Sequence, residues 1–301
     1  MNDAKRRLRY LDQTVRALYP GPGSPRAYSV LPHRLLPRRL APRRRWHGLL
    51  GRPVMVPVEG SIETYLSGIL GVPVETVLHV RPARRANRKP ILEAYGAGSR
   101  LAFVKIGDTP RARELVDGEA ATLKKLSALA LKTVVAPTVL RHERWGEYSV
   151  LALSPLPIRR GRVPAALLTE AVKEIAGTGG REGAAWHGDL SPWNIAPSGD
   201  GRLLVWDWER YAVGVPYGFD AVHHFFQRAL RRMDPATAAR ACLAQAVPVL
   251  APLGLSAAQA RRTALHYLIA LADRHAADGH EPLGPPSTWL NPLVDHQEPL
   301  T

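Results

Sequence analysis

The sequence predicts an α+β protein of two lobes, a small antiparallel-sheet lobe with one helix followed by a mainly helical lobe. Three observations carry this. Short β-prone runs crowd between residues 74 and 153, helical periodicity rich in alanine and leucine fills residues 219 to 277, and the proline-rich "SPLPIRRGRVP" reads as an extended connector between them. The expected division is a basic extension over 1–59, a first lobe over 60–153 and a second over 154–301.

The first lobe opens on "SIETYLSGILG", a helix with Ile62, Tyr65, Leu66 and Ile69 on one face, Ser61 placed as its cap and Gly71 as its stop. Three strands follow, "VETVLHV" (74–80), "PILEAYG" (90–96) and "RLAFVKIG" (100–107), with "GAGS" a tight turn between the last two. Residues 110–130 form a helix whose buried stripe is Leu115, Leu123, Leu126 and Ala130. Glu119 falls inside that stripe. A carboxylate on an apolar face needs a cation, and Lys105 on the preceding strand is the nearest candidate; the alternative is an exposed stripe edge that lets Glu119 reach water. "TVVAPTVL" and "EYSVLALS" are the remaining strands. After the connector come the helix "AALLTEAVKEIAG" and three helical segments, "FDAVHHFFQRALRRM", "DPATAARACLAQAVPVLAPLG" and "SAAQARRTALHYLIALADRHAA".

With 301 residues, 46% of them hydrophobic, the chain has ample material for a core. No apolar run approaches the length of a membrane span, and the first residues have no apolar core behind their charges, so a cytoplasmic protein is expected. The single cysteine, Cys242, permits neither an internal disulfide nor a thiolate metal cage. Any metal must be held by oxygen and histidine.

The net charge of +15 is unevenly placed: residues 1–52 carry 13 Lys/Arg against 2 Asp/Glu, and the remainder 28 against 24. Leu8, Leu11, Val15 and Leu18 mark a short amphipathic helix, after which the prolines predict an irregular basic arm. This extension either packs on its own domain or meets an anionic membrane or a protein partner, with peripheral membrane association in the second case. Beyond charge there is no nucleic-acid reading element, so no specific nucleic-acid recognition is expected.

The densest chemistry lies in "AAWHGDLSPWNIAPSGDGRLLVWDWERY". Asp189 and Asn194 share one loop, five positions apart, and Asp207 ends the apolar run "LLVW". A carboxylate and an amide oxygen suit Mg²⁺, which prefers oxygen ligands and keeps phosphate oxygens among the others. A second carboxylate, free of metal, accepts a hydroxyl proton. That division of labour describes phosphoryl transfer from ATP to a small-molecule hydroxyl acceptor: Asn194 and Asp207 as metal ligands, Asp189 as base, and Lys105, fixed by Glu119, on the phosphates. His187 reads as a buried support for the loop. Glu209 is either a further carboxylate at the metal or a partner for an arginine, and His223 and His224 read as structural. The tryptophans Trp186, Trp193, Trp206 and Trp208 read as core and cleft wall.

"HGDLSPWN" and "VWDWER", after "FVKIG" and the Glu119 helix, resemble the catalytic loop and metal-binding strand of the aminoglycoside phosphotransferase and choline kinase family, over roughly residues 60 to 230. The resemblance implies a protein-kinase-like fold, with Asp189 as catalytic base, Asn194 and Asp207 on metal, and Lys105 and Glu119 as the phosphate-clamping pair. It further implies that Asp220 braces the catalytic loop, for which the residues alone offer an N-cap role equally well, and that the segment from Leu151 through Leu153 to Pro155 holds adenine. The sequence departs from the family at "RPARRANRK" (81–89), where relatives commonly have small or glycine residues that bring backbone amides to a nucleotide and this chain has no glycine. There Arg84, Arg85 and Arg88 either contact phosphates through their side chains or face solvent or an anionic acceptor. The competing functions are a peptide Ser/Thr kinase and a nucleotide-binding pseudokinase or scaffold. The basic outward faces of the last helices, with Arg228, Arg231, Arg232, Arg261 and Arg262, point either to a neutral or anionic acceptor such as a sugar, glycan precursor or peptide, or to solvation alone.

Overall fold

Helix α1 (Asp3–Leu18) buries Tyr10, Leu11 and Leu18, while Leu8 lies at the edge of the stripe. The computed structural model describes residues 3–21, 23–31, 38–44, 52–80, 88–159, 161–279 and 283–294. The segment after α1, expected to be irregular, instead enters a sheet: β1 (Pro25–Leu31) lies antiparallel between β2 (Arg38–Pro42) and β3 (Arg52–Pro57). The prolines of these three strands sit where a ladder tolerates them. Pro25 opens β1, Pro42 and Pro57 close β2 and β3, and Pro53 lies on β3, an edge strand of the sheet. Burial of Tyr28, Val30, Leu40 and Val56 supplies the drive for pairing.

Helix α2 (Ile62–Leu70) has the caps its sequence predicts: the Ser61 hydroxyl accepts from the Glu63 amide at 3.2 Å, and Gly71 takes the left-handed conformation at φ 73°. Strands β4 (Glu75–Val80), β5 (Ile91–Gly96) and β6 (Ser99–Gly107) follow. Between β5 and β6 both turn residues have positive φ, Ala97 at 49° and Gly98 at 80°, the requirement of a tight hairpin turn that follows strand twist. Helix α3 (Pro110–Ser127) comes next. The single strand expected over 133–140 is two, because Pro137 has no N–H to continue a ladder: β7 (Val134–Val135) pairs elsewhere, and β8 (Val139–Trp145) forms a hairpin with β9 (Tyr148–Leu153).

The chain divides into two compact units, Met1–Ala120 with Thr138–Pro155, and Ala121–Pro137 with Leu156–Thr301. The first holds an eight-stranded antiparallel sheet in the order β3-β1-β2-β4-β5-β6-β9-β8, larger than expected because the N-terminal segment contributes three strands. The second holds α4 (Ala165–Gly177), the short strands β10 (Ala185–Trp186), β11 (Ile195–Pro197), β12 (Leu203–Val205) and β13 (Ala212–Val213), and the helices α5 (Phe219–Ala229), α6 (Pro235–Ala244), α7 (Ala246–Leu250), α8 (Ala257–Ala277), α9 (Pro286–Trp289) and α10 (Asn291–Val294). Asp234 caps α6, and Ser256 with Gln259 forms a capping box on α8. The core of this unit gathers Phe226, Leu250, Tyr267, Leu268, Leu271 and Trp289. Arg228 on α5, Arg231 and Arg232 in the turn after it, and Arg261 and Arg262 on α8 are all exposed. Among the described residues no single helix is long and apolar enough to cross a membrane.

Candidate active site

In the sheet unit, Lys105 and Glu119 form the ion pair that the apolar stripe of α3 requires. The ammonium donates to both carboxylate oxygens, at 2.7 Å to Oε1 and 2.6 Å to Oε2, and both side chains are buried. Two contacts to one carboxylate fix the lysine's direction as well as its charge. Antiparallel register sets Lys105 opposite Ile91 on β5 and Leu151 on β9, so the three side chains share one sheet face. Leu153 lies two residues further along β9 on that face, opposite Phe103, and both leucines are buried. Arg84 and Arg85 lie outside the described residues; Arg88, just within them, stacks over the Tyr10 ring at 4.8 Å.

In the helical unit, the loop that carries Asp189 is tied at both ends. Strand β10 leads into it and pairs with β13, which follows Asp207, and the Gly188 carbonyl accepts from Arg274 on α8. Gly188 has φ 80°, and a side chain there would meet the Arg210 carbonyl at 2.1 Å, so this position admits only glycine. The Asp220 carboxylate accepts from the amides of His187 at 2.7 Å and Gly188 at 3.3 Å. The N-cap of α5 is Gly218, so Asp220 directs its side chain to the loop rather than to the start of its own helix. Burial pushes Asp220 up to about 7, against the two amide bonds that favour its ionised form. His187 is fully buried, packs edge-on against Trp208 with centroids 4.5 Å apart, and accepts from the Asp189 amide through Nδ1.

Asn194 donates from Nδ2 to the Asp189 carbonyl and to Asp189 Oδ2, each at 2.9 Å, which leaves its amide oxygen outside these bonds. The Asn194 carbonyl accepts from the Trp206 amide at 3.1 Å, and this bond extends the β11–β12 ladder by one step. Asn194 precedes β11 and Asp207 follows β12, so both emerge at the same end of one hairpin. Asp207 stands at φ 75°, ψ 53°, a left-handed conformation that costs a non-glycine residue roughly 1 kcal/mol, and it immediately precedes the short helix Trp208–Arg210 containing Glu209, without a side-chain bond to that helix's first amides. Oxygen donors of this kind at one hairpin end fit a hard divalent cation.

Three residues of this site escape sequence reasoning. His223 Nε2 lies 3.0 Å from Asp189 Oδ1, the Ser191 hydroxyl donates to the same oxygen, and the Tyr267 hydroxyl lies 2.9 Å from His223 Nδ1. Burial works against charge on Asp189, but the His223 hydrogen bond, with Ser191 in support, outweighs it and holds the carboxyl below its ordinary value. The available signal was spacing: His223 lies three residues after Asp220 on α5, and Tyr267 seven before Arg274 on α8, so each shares a helix face with a residue that binds the loop. Of the tryptophans, Trp186 and Trp208 are core, whereas Trp193 is 49% exposed on the loop itself.

These two units define the protein-kinase-like fold: an antiparallel sheet that carries a helix-paired lysine, and a helical unit that carries an Asp–Asn loop. Among solved structures the chain is similar to a putative fructosamine-3-kinase from Haemophilus somnus 129PT, with TM-score 0.51 and 12% identity over 78% of this chain and 95% of that one. A weaker match is the bifunctional kinase-methyltransferase WbdD, with TM-score 0.33 and 15% identity over 59% of this chain; the match spans 42% of the WbdD chain. No family profile and no curated protein sequence matches the chain.

Proposed function

We propose that the protein is an ATP- and Mg²⁺-dependent phosphotransferase that transfers the γ-phosphate to a hydroxyl of a small molecule. The observation that carries this is the β11–β12 hairpin, which sets Asn194 and Asp207 at one end while Asn194 grips Asp189. Asn194 and Asp207 would hold the cation, which when bound neutralises phosphate charge. Asp189, ionised and held by three side-chain donors, orients the acceptor hydroxyl and takes its proton. Lys105, aimed by Glu119, is the cation for the nucleotide phosphates, and Leu151 with Leu153 is the apolar surface for adenine. Asp220 and His187 hold the loop in shape. Similarity to the putative fructosamine-3-kinase from Haemophilus makes fructosamine-type compounds the first acceptors to try, within a wider set of sugars, glycan precursors and antibiotic-like metabolites.

The test is thermal shift with ATP, with and without Mg²⁺, followed by transfer of labelled phosphate to an acceptor panel. Stabilisation that requires Mg²⁺ and disappears in Asp207→Ala, with turnover lost but nucleotide binding kept in Asp189→Asn, is the expected result. No stabilisation at millimolar nucleotide overturns the reading in favour of a non-catalytic scaffold.

A further inference from the structure

The Asp189 carboxylate has unequal oxygens. Oδ1 accepts from the Ser191 hydroxyl and faces His223 Nε2 at 3.0 Å, whereas Oδ2 accepts from Asn194 Nδ2 at 2.9 Å. Behind His223, the Tyr267 hydroxyl reaches Nδ1 at 2.9 Å, and neither ring has any solvent exposure. Two considerations set the proton positions in this chain. Burial lowers the affinity of His223 for a second proton, and it raises the phenol of Tyr267 well above its ordinary range, so the imidazole is neutral and the phenol keeps its hydrogen. Because Nε2 faces the acceptor Oδ1, Nδ1 is the nitrogen without a hydrogen, and it accepts from the Tyr267 hydroxyl. The one ring proton is left on Nε2, where it points at Asp189 Oδ1.

We propose that His223 is a positioning residue: with its tautomer fixed by Tyr267, it saturates Oδ1 of Asp189 and so leaves Oδ2 as the oxygen that receives the acceptor's proton. This rests on the phosphotransfer reading. With Ser191 and His223 both on Oδ1, its two lone-pair directions are filled, while among the described residues Asn194 alone bonds Oδ2 through a side chain. In the step this serves, the acceptor O–H bond breaks and its proton moves to Oδ2. The electron pair left on the acceptor oxygen forms the bond to the γ-phosphorus, and the bond from that phosphorus to the β,γ-bridging oxygen breaks, releasing ADP. His223 neither gains nor loses a proton. Its contribution is to stop the carboxylate rotating, so that one lone pair keeps one direction.

Histidine-labelled (¹⁵N) protein reports the tautomer directly through two-bond ¹H–¹⁵N correlations, with His223→Gln identifying the signal. A neutral ring protonated at Nε2 is expected at pH 7.5 in the wild type, and a mixture of tautomers in Tyr267→Phe. A ring protonated at Nδ1, or at both nitrogens, overturns the proposal whatever the activity. Kinetics use hydrolysis of Mg-ATP, with water as acceptor. His223→Leu should lower kcat about tenfold or more with KM for ATP unchanged, and His223→Gln, which keeps an N–H at the same reach, should recover most of it. Equal losses in Leu and Gln, or an effect confined to KM, overturn it; Tyr267→Phe serves as the milder variant if the leucine substitution does not fold. A wild type without any ATP turnover sinks the phosphotransfer reading instead, and the spectrum alone then decides the orientation of His223.

Discussion

Lys105 and Glu119 are each costly to bury alone, and they answer each other at 2.6 Å. Removing one partner of such a pair costs about 3–5 kcal/mol, because the other charge stays behind in a poor environment. Lys105→Met should therefore destabilise the sheet unit by about 3 kcal/mol in urea denaturation, and adding Glu119→Leu should recover a large part of that loss. A double variant no better than the single would show that the pair is not coupled. This contact was legible because both residues lie on elements with clear periodicity, and a carboxylate in an apolar stripe announces its need for a cation. Asp220→Asn tests a second residue. An amide side chain can accept from one of the His187 and Gly188 N–H groups but presents its own N–H₂ to the other, so a loss of about 1–3 kcal/mol is expected. The role of His223 was not legible. Its partners Asp189 and Tyr267 are 34 and 44 positions away in sequence, and nothing local on α5 tells a histidine that faces the Asp189 carboxylate from its neighbour His224, which bonds the Leu190 carbonyl.

Elements were readable where the chain punctuates itself. Ser61 and Gly71 bracket α2 because each relieves a backbone requirement at its own position, and the same holds for Asp234 and Ser256. Proline misled where its context was tertiary: Pro25, Pro42 and Pro57 fall at strand ends and Pro53 on an edge strand, which no local rule reveals, and Pro137 divided what looked like one strand into members of two different sheets. The β5–β6 turn offers a direct test of element-scale reasoning. Ala97 is strained at a φ of 49° that asparagine adopts more readily, and Gly98 already fills the second position. Ala97→Asn should stabilise the protein by about 0.5–1 kcal/mol, and Gly98→Ala should destabilise it by a similar amount. Thermal unfolding of the two variants checks this, and a loss in Ala97→Asn would mean that the turn is not of the assumed type.

At the scale of the whole molecule, the buried ionisable groups of the helical unit set opposing pH dependences, and their balance can be worked out. Burial draws His187 and His224 down to about 4 from an ordinary value of 6.5. Depressed values of this kind give stability that is present above pH 6.5 and lost as pH falls toward 4, because the unfolded chain binds protons that the folded one refuses. His223 is shifted in the same direction. Asp220 runs the other way: raised to about 7 from 3.8, it favours the fold at low pH and loses that contribution as pH rises through 7. Near pH 5, at least two protons bound by unfolded histidines face one bound by folded Asp220, so the net slope is positive. Stability should drop by about 1 kcal/mol per pH unit on acidification between roughly pH 6 and 4.5, beginning above the range where most carboxylates titrate. Denaturant midpoints at about pH 7.5, 6 and 5 measure the slope, and His224→Gln, whose amide can still donate to the Leu190 carbonyl that His224 bonds, should flatten it by about one proton's worth. A midpoint that rises toward about pH 5 would show that Asp220 dominates and that the histidines take up protons without unfolding.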